Sequence, residues 1–201
     1  MEHQADRYVG VSPIDPGSKC SRITSRRPNR WTWRFVLLLG SVLWIVDGSA
    51  LVFPQVAGDE AEMERLRVKA EDAMANEDAD GAAMAMGRAA LMALHLAKRQ
   101  SDGPRGRMFQ GAEHLFRSQE HGYRALALFR RAGEQLPASS GVCGSLRLGH
   151  TEAEHALHQL GAIISEGDSD PHVIRQATEF RQAAETWTTV LSSMQADFQC
   201  A

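Results

Sequence analysis

The stretch GYRALALFRRAGEQLP, residues 122–137, places small and large apolar side chains at helical spacing and closes on a proline. Its arginines fall between the apolar positions, as on the polar face of an amphipathic helix. Similar spacing recurs along the C-terminal three quarters of the chain, and few segments show the apolar alternation that a β-strand needs. The sequence therefore predicts an all-α fold.

Short breaks divide this helical region from Asp59 onward. The breaks are NEDADG at 76–81, SDGPRGR at 101–107 and PASSGVCGS at 137–145, which carry the Gly, Pro, Asp and Ser residues of turns. Asp170-Pro171 supplies a cap and a first turn for the last helix. The predicted helices cover roughly 59–75, 82–97, 108–118, 122–135, 151–165 and 171–194. The second is apolar almost all round, which is typical of a helix at the centre of a bundle.

Charge separates the two ends of the chain. Residues 1–57 carry seven Lys or Arg against four Asp or Glu, whereas residues 58–201 carry fifteen against twenty-one. An acidic folded region lacks the positive surface that neutralises phosphates. We therefore expect no binding to nucleic acid.

The N-terminal region has the order of an export signal, in which a basic segment precedes an apolar one. We predict a basic cytoplasmic region at 1–30, a hydrophobic signal peptide or anchor at 31–57, and an exported helical domain at 58–201. Small residues up to Ala50 would permit cleavage there. Left uncleaved, 31–57 is long enough to contact and span a membrane, which takes ~20 mostly apolar residues. Either outcome places the C-terminal domain outside the cytoplasm, in the periplasm or at the inner membrane.

Export would leave two of the three cysteines in an oxidising compartment. Cys20 precedes the hydrophobic segment, while Cys143 and Cys200 follow it. Two exported cysteines can form one disulfide. We predict that Cys143 and Cys200 pair, with two free thiols as the alternative.

A shift of 42 residues aligns 70–90 with 112–132 without a gap, with six of twenty-one positions identical. A looser third copy appears in 151–190. One helix pair cannot bury its own apolar face, so a repeated pair predicts stacking.

Ala125, Phe129, Ala132 and Pro137 give the small, aromatic, small and proline pattern that resembles the second helix of a tetratricopeptide repeat. Phe109, Ala112 and Phe116 resemble its first helix. This resemblance is clearest at 108–137, although Ala112-Glu113 replaces the usual Leu-Gly pair. It implies an array of about three helix pairs after the N-terminal segment, with Ala125, Phe129 and Ala132 in the core.

In that family the first helices line a concave surface that binds peptides or partner helices. The opposite face of the first helix here carries four polar residues, which the resemblance makes the predicted partner-binding residues: Arg107, Gln110, His114 and Arg117. Their cationic and hydrogen-bonding groups suit a carboxylate or an acidic segment.

A metal site is the chemical alternative, and its richest candidate is the run of His and Glu at 150–158. Glu152 and His155 have the E-x-x-H spacing of di-iron bundles, but only one copy is present. Glu154 and His158, one turn apart, could bind surface zinc. We take the simpler interpretation of a polar helix face and predict no metal and no cofactor.

No glycine-rich phosphate loop or G-x-S-x-G motif occurs, so we predict that the protein is not an enzyme. We expect a scaffold or assembly factor that binds a protein partner in the cell envelope. The alternatives are a structural accessory subunit of a membrane or periplasmic complex, and a metal-binding helical bundle.

Overall fold

Five α-helices make up the part of the chain that the computed structural model describes, residues 54–167 and 170–200, with side chains from residue 58 onward. They are α1 (Pro54–Ala75), α2 (Ala79–Arg99), α3 (Pro104–Arg131), α4 (Ser140–Glu166) and α5 (Pro171–Asp197). These ranges contain no β-strand, so the predicted all-α class is confirmed.

The predicted basic region at 1–30 lies outside the described residues. So do residues 31–53 of the predicted hydrophobic segment at 31–57. Within the described ranges, no helix is both long enough and apolar enough to cross a membrane.

Capping side chains and prolines account for several helix starts. The Asp78 carboxylate accepts a hydrogen bond from the Gly81 backbone N–H at 2.8 Å, at the start of α2. Asp170 accepts one from the His172 N–H at 2.9 Å, at the start of α5. Pro104 begins α3, where its missing N–H leaves no hydrogen bond unmade. The predicted breaks before α2, α3 and α5 are therefore confirmed.

The other helices assemble around α3. α2 and α4 pack along it, α5 packs against both α4 and α3, and α1 packs against α2. Phe109, Ala112 and Phe116 of α3 are buried, as the sequence predicts. Ala125 is also buried, but Phe129 is only partly buried and Ala132 is exposed. The prediction of Ala132 as a core residue was wrong. The helix α3 ends at Arg131, so Ala132 follows its last turn and is exposed to solvent.

Small residues let α4 approach α3 closely. A Cβ added at Gly111 would lie 2.6 Å from Cγ of Leu160, and one at Gly149 would lie 3.3 Å from the Ser118 carbonyl oxygen. The buried Ser118 hydroxyl donates a hydrogen bond to the Gly149 carbonyl at 2.7 Å. These contacts fix α4 against the middle of α3.

The helices predicted at 108–118 and 122–135 are one continuous helix, α3. Glu120, in the expected break, is buried and accepts hydrogen bonds from Arg117 and Arg124 on either side of it. These i,i+3 and i,i+4 pairs support helix through that point. The helix predicted at 151–165 also begins earlier, at Ser140.

This correction bears on the internal repeat. Residues 70–90 contain the end of α1, a turn and the first half of α2, whereas 112–131 lie entirely within α3. The two aligned segments therefore have different structures. The turn that a helix pair over 108–135 would need is absent from α3.

Cys143 and Cys200 form a disulfide, with 2.00 Å between the sulfurs and 5.5 Å between the Cα atoms. The predicted pairing is confirmed. It fastens the C-terminus to the first turn of α4. The Ala138 N–H donates to the Phe198 carbonyl at 2.9 Å, and the ring of Phe198 stacks on Phe129 with centroids 4.1 Å apart.

Two helical glycines provide a matched test of this packing. A Cβ at Gly122 would lie 2.6 Å from Cζ2 of Trp187, whereas one at Gly161 meets nothing within 4 Å. We expect Gly122→Ala to lower the free energy of unfolding by about 1–3 kcal/mol through overpacking. Gly161→Ala should raise it by about 0.5–1 kcal/mol, because alanine favours helix. Urea denaturation measures both, and equal effects would contradict the contact with Trp187.

Candidate functional site

The four residues predicted to bind a partner lie on one side of α3, because they are spaced by three or four positions along a helix. Gln110 is exposed, and Arg107, His114 and Arg117 are partly buried. In the structure, Arg107 and His114 face α4, whereas Arg117 faces α2. They do not line one common groove.

Arg107 and His114 contact α4. The Arg107 guanidinium donates two hydrogen bonds to the Glu166 carboxylate, at 2.6 and 2.5 Å. These bonds lower the pKa of Glu166 below its usual range and favour its charged form. His114 Nδ1 lies 2.7 Å from Oε2 of Glu152. Both side chains therefore join α3 to α4.

Arg117 faces the opposite neighbour, α2. Partial burial acts to lower the pKa of Arg117, but its hydrogen bonds with Glu120 and Glu113 raise it above the ordinary value. Glu120 is held between Arg117 and Arg124, and its carboxylate would lie 3.0–3.2 Å from a Cβ at Gly87. The glycine thus lets α2 pass close to this buried carboxylate.

An open groove of about 420 Å³ runs between α2 and α3, and we call it the α2–α3 groove. Four arginines and two acidic residues line it, which gives it a net positive charge. The charged lining residues are Arg88, Arg117, Arg124, Arg131, Asp80 and Glu120. Arg88 makes no ion pair within 4.0 Å with any residue in the described ranges.

Two large apolar side chains of α2 line the same groove and are exposed to solvent. Met84 is 63% exposed and Leu91 is 55% exposed. They lie seven residues apart, two turns along one face, with Arg88 between them. Leu91 and Arg88 also line a second cleft between α1 and α2.

The sequence did not predict this open face of α2. Its apolar composition indicated a central helix. Its buried residues are mostly alanines, including Ala82, Ala89 and Ala93, together with Met86 and Leu96. Small side chains at this spacing are enough to pack a helix on one side. Met86 and Leu96 of the same helix are buried, so residue type alone does not distinguish the exposed pair Met84 and Leu91.

A second group of functional side chains lies at the boundary of α3 and α4. One ligand atom each from His114, Glu152 and His155 falls within 4.8 Å of the others. We call these three residues the His–Glu cluster. The sequence pointed to Glu152 and His155 but assigned His114 to partner binding, because only the fold brings α3 beside α4.

The charged carboxylates of Glu120, beside the groove, and of Glu152, in the cluster, both act on the pKa of His121. Burial disfavours its imidazolium form and lowers its pKa. The burial of His121 therefore favours its neutral imidazole form.

Comparisons with protein-family models, with curated proteins and with solved structures found no match to this chain. The geometry of the two sites therefore carries the functional argument.

Proposed function

We propose that this protein is a non-enzymatic, exported helical protein whose α2–α3 groove binds an acidic amphipathic segment of a protein partner in the cell envelope. The observation that carries the proposal is the exposure of Met84 and Leu91 in a groove that four arginines surround. Large apolar side chains framed by polar residues mark interaction surfaces more often than isolated ones do.

The charge of the groove selects the class of partner. Arginine binds carboxylates through paired hydrogen bonds, and complementary charge steers association and fixes register. An amphipathic helix with apolar residues two turns apart matches the spacing of Met84 and Leu91. Acidic residues on its flanks would face the arginines. Of the predicted partner-binding residues, Arg117 lines this groove.

The proposed location rests on two further observations. The basic and apolar segments of residues 1–57 have the order of an export signal. The disulfide between Cys143 and Cys200 is of a kind that persists in oxidising compartments. Together they favour the periplasm or the outer face of the inner membrane.

A defined pair of peptides tests the groove. The first is a fluorescent helical peptide with leucines on one face and glutamates on its flanks, and the second carries lysines in place of the glutamates. We expect the glutamate peptide alone to bind, with an affinity that falls as salt screens the arginines. Fluorescence anisotropy measures both, and equal binding of the two peptides would contradict the proposal.

Charge reversal at Arg88 gives a matched test within the protein. Arg88→Glu should weaken binding of the glutamate peptide by about tenfold, because it replaces attraction by repulsion beside the bound segment. Arg147→Glu on the exposed surface of α4 changes the net charge equally, and we expect it to leave binding unchanged. Equal losses in the two variants would show a general charge effect and would contradict the groove.

The native partner can be tested with a photo-crosslinking amino acid at Leu91 in living cells. Leu148 on α4 is the control position, since it is equally exposed at 55%. We expect an adduct from Leu91 whose crosslinked segment is acidic and amphipathic, and which Arg88→Glu removes. A basic segment, or the same adduct from Leu148, would contradict the proposal.

A further inference from the structure

We propose that the His–Glu cluster is a zinc site that clamps α4 onto α3. Its residues come from two helices that approach each other closely, and His114 and Glu152 already interact across the boundary at 2.7 Å. His114 and Glu152 are each partly buried, and His155 is exposed. The site lies on the α4 side of α3 and does not depend on the proposed function of the α2–α3 groove.

The donor set suits zinc. Two imidazoles and one carboxylate are a known set of three protein ligands for Zn²⁺, with water in the fourth position. Glu152 and His155 are three residues apart on α4, so both project from the same side of that helix. His114 supplies the third ligand from α3. The rings of His114 and His155 meet edge to face, with centroids 5.2 Å apart, so the two imidazoles are already in contact across the boundary.

Only small side-chain movements separate this arrangement from coordination. Ligand atoms around a tetrahedral zinc ion, each ~2.0–2.2 Å from the metal, lie roughly 3.3 Å apart. One ligand atom from each of the three residues lies within 4.8 Å of the others. The exposed His155 can rotate without disturbing the core.

Nearby charge favours a cation. A carboxylate oxygen of Glu113 lies 4.0 Å from His114 Nδ1. Arg117 donates a hydrogen bond to the other Glu113 oxygen at 3.3 Å, which holds this carboxylate beside the cluster. The two carboxylates of Glu113 and Glu152 therefore carry more negative charge than the guanidinium of Arg117 offsets.

In the test, the full-length protein is first treated with EDTA, the EDTA is removed, and ZnCl₂ is then titrated into the protein. A Cys20→Ser background removes the thiol that the disulfide does not use. We expect one equivalent of zinc by calorimetry and a rise in melting temperature, since a ligand that binds only the folded state stabilises it. His114→Ala and His155→Ala should each weaken binding by at least ~10-fold.

Two controls make the site specific. His158→Ala and His95→Ala remove exposed histidines outside the cluster and should leave the affinity unchanged. His155 is exposed, so its replacement tests the site without a loss of core packing. Absence of stoichiometric binding would overturn the proposal. So would zinc binding that His158→Ala abolishes and His155→Ala spares, since it would place the metal on Glu154 and His158.

Discussion

Replacing Cys143 and Cys200 together by serine is expected to lower the free energy of unfolding by about 4 kcal/mol. The disulfide joins residues 57 positions apart, and a cross-link of that span removes a large share of the conformational freedom of the unfolded chain. For a protein of this size the loss corresponds to a fall in melting temperature of roughly 10 °C. Calorimetry or thermal denaturation followed by circular dichroism measures the shift.

The two single substitutions provide the control. Each breaks the same bond, so Cys143→Ser, Cys200→Ser and the double variant should have nearly equal stability. Chemical reduction of the unaltered protein should produce a similar loss. Additive effects of the single substitutions would instead indicate two independent packing positions. Free thiols at Cys143 and Cys200 in the purified protein would contradict the disulfide itself.

The helical class and several breaks could be predicted because their signals are local. The Asp78 and Asp170 caps and Pro104 determine where α2, α5 and α3 begin. Burial of Phe109 and Phe116 followed from their spacing on one face of a helix. The disulfide followed from the predicted compartment, which left two cysteines to pair.

The continuity of α3 could not be predicted from local signals. Gly122 looked like a boundary, since glycine disfavours helix by ~1 kcal/mol relative to alanine. Its role depends on α5, because Trp187 and Leu191 occupy the space that a side chain would need. Tertiary packing of this kind overrides propensity. Trp187 and Leu191 lie more than sixty residues further along the chain than Gly122.

The sites show the same limit. Helical spacing placed Arg107, His114 and Arg117 on one side of a helix, but it could not show that α4 contacts the first two. The exposed stripe of Met84 and Leu91 depends on α1 and α3 packing against the alanines of α2. Each site depends on which helices pack against each other, and the periodicity of a single helix does not determine that.

Phe116→Ala is expected to have an effect of similar size to loss of the disulfide, about 3–5 kcal/mol. Phe116 is 1% exposed in the middle of α3, and its ring meets that of Phe180 on α5 edge to face, with centroids 6.1 Å apart. Removing the ring leaves a cavity where α3 and α5 meet and also removes the aromatic contact. Urea denaturation of the oxidised protein, in which the disulfide is intact, isolates this contribution.

Leu148→Ala serves as the surface control for that experiment, because Leu148 is 55% exposed on α4. Its effect should stay within about 0.5 kcal/mol. Phe180→Ala, and the double variant with Phe116→Ala, complete a mutant cycle. The double variant should lose less than the sum of the single losses, by ~0.5–1.5 kcal/mol for the aromatic pair. Strict additivity would mean that the two rings do not interact and that α5 packs differently against α3.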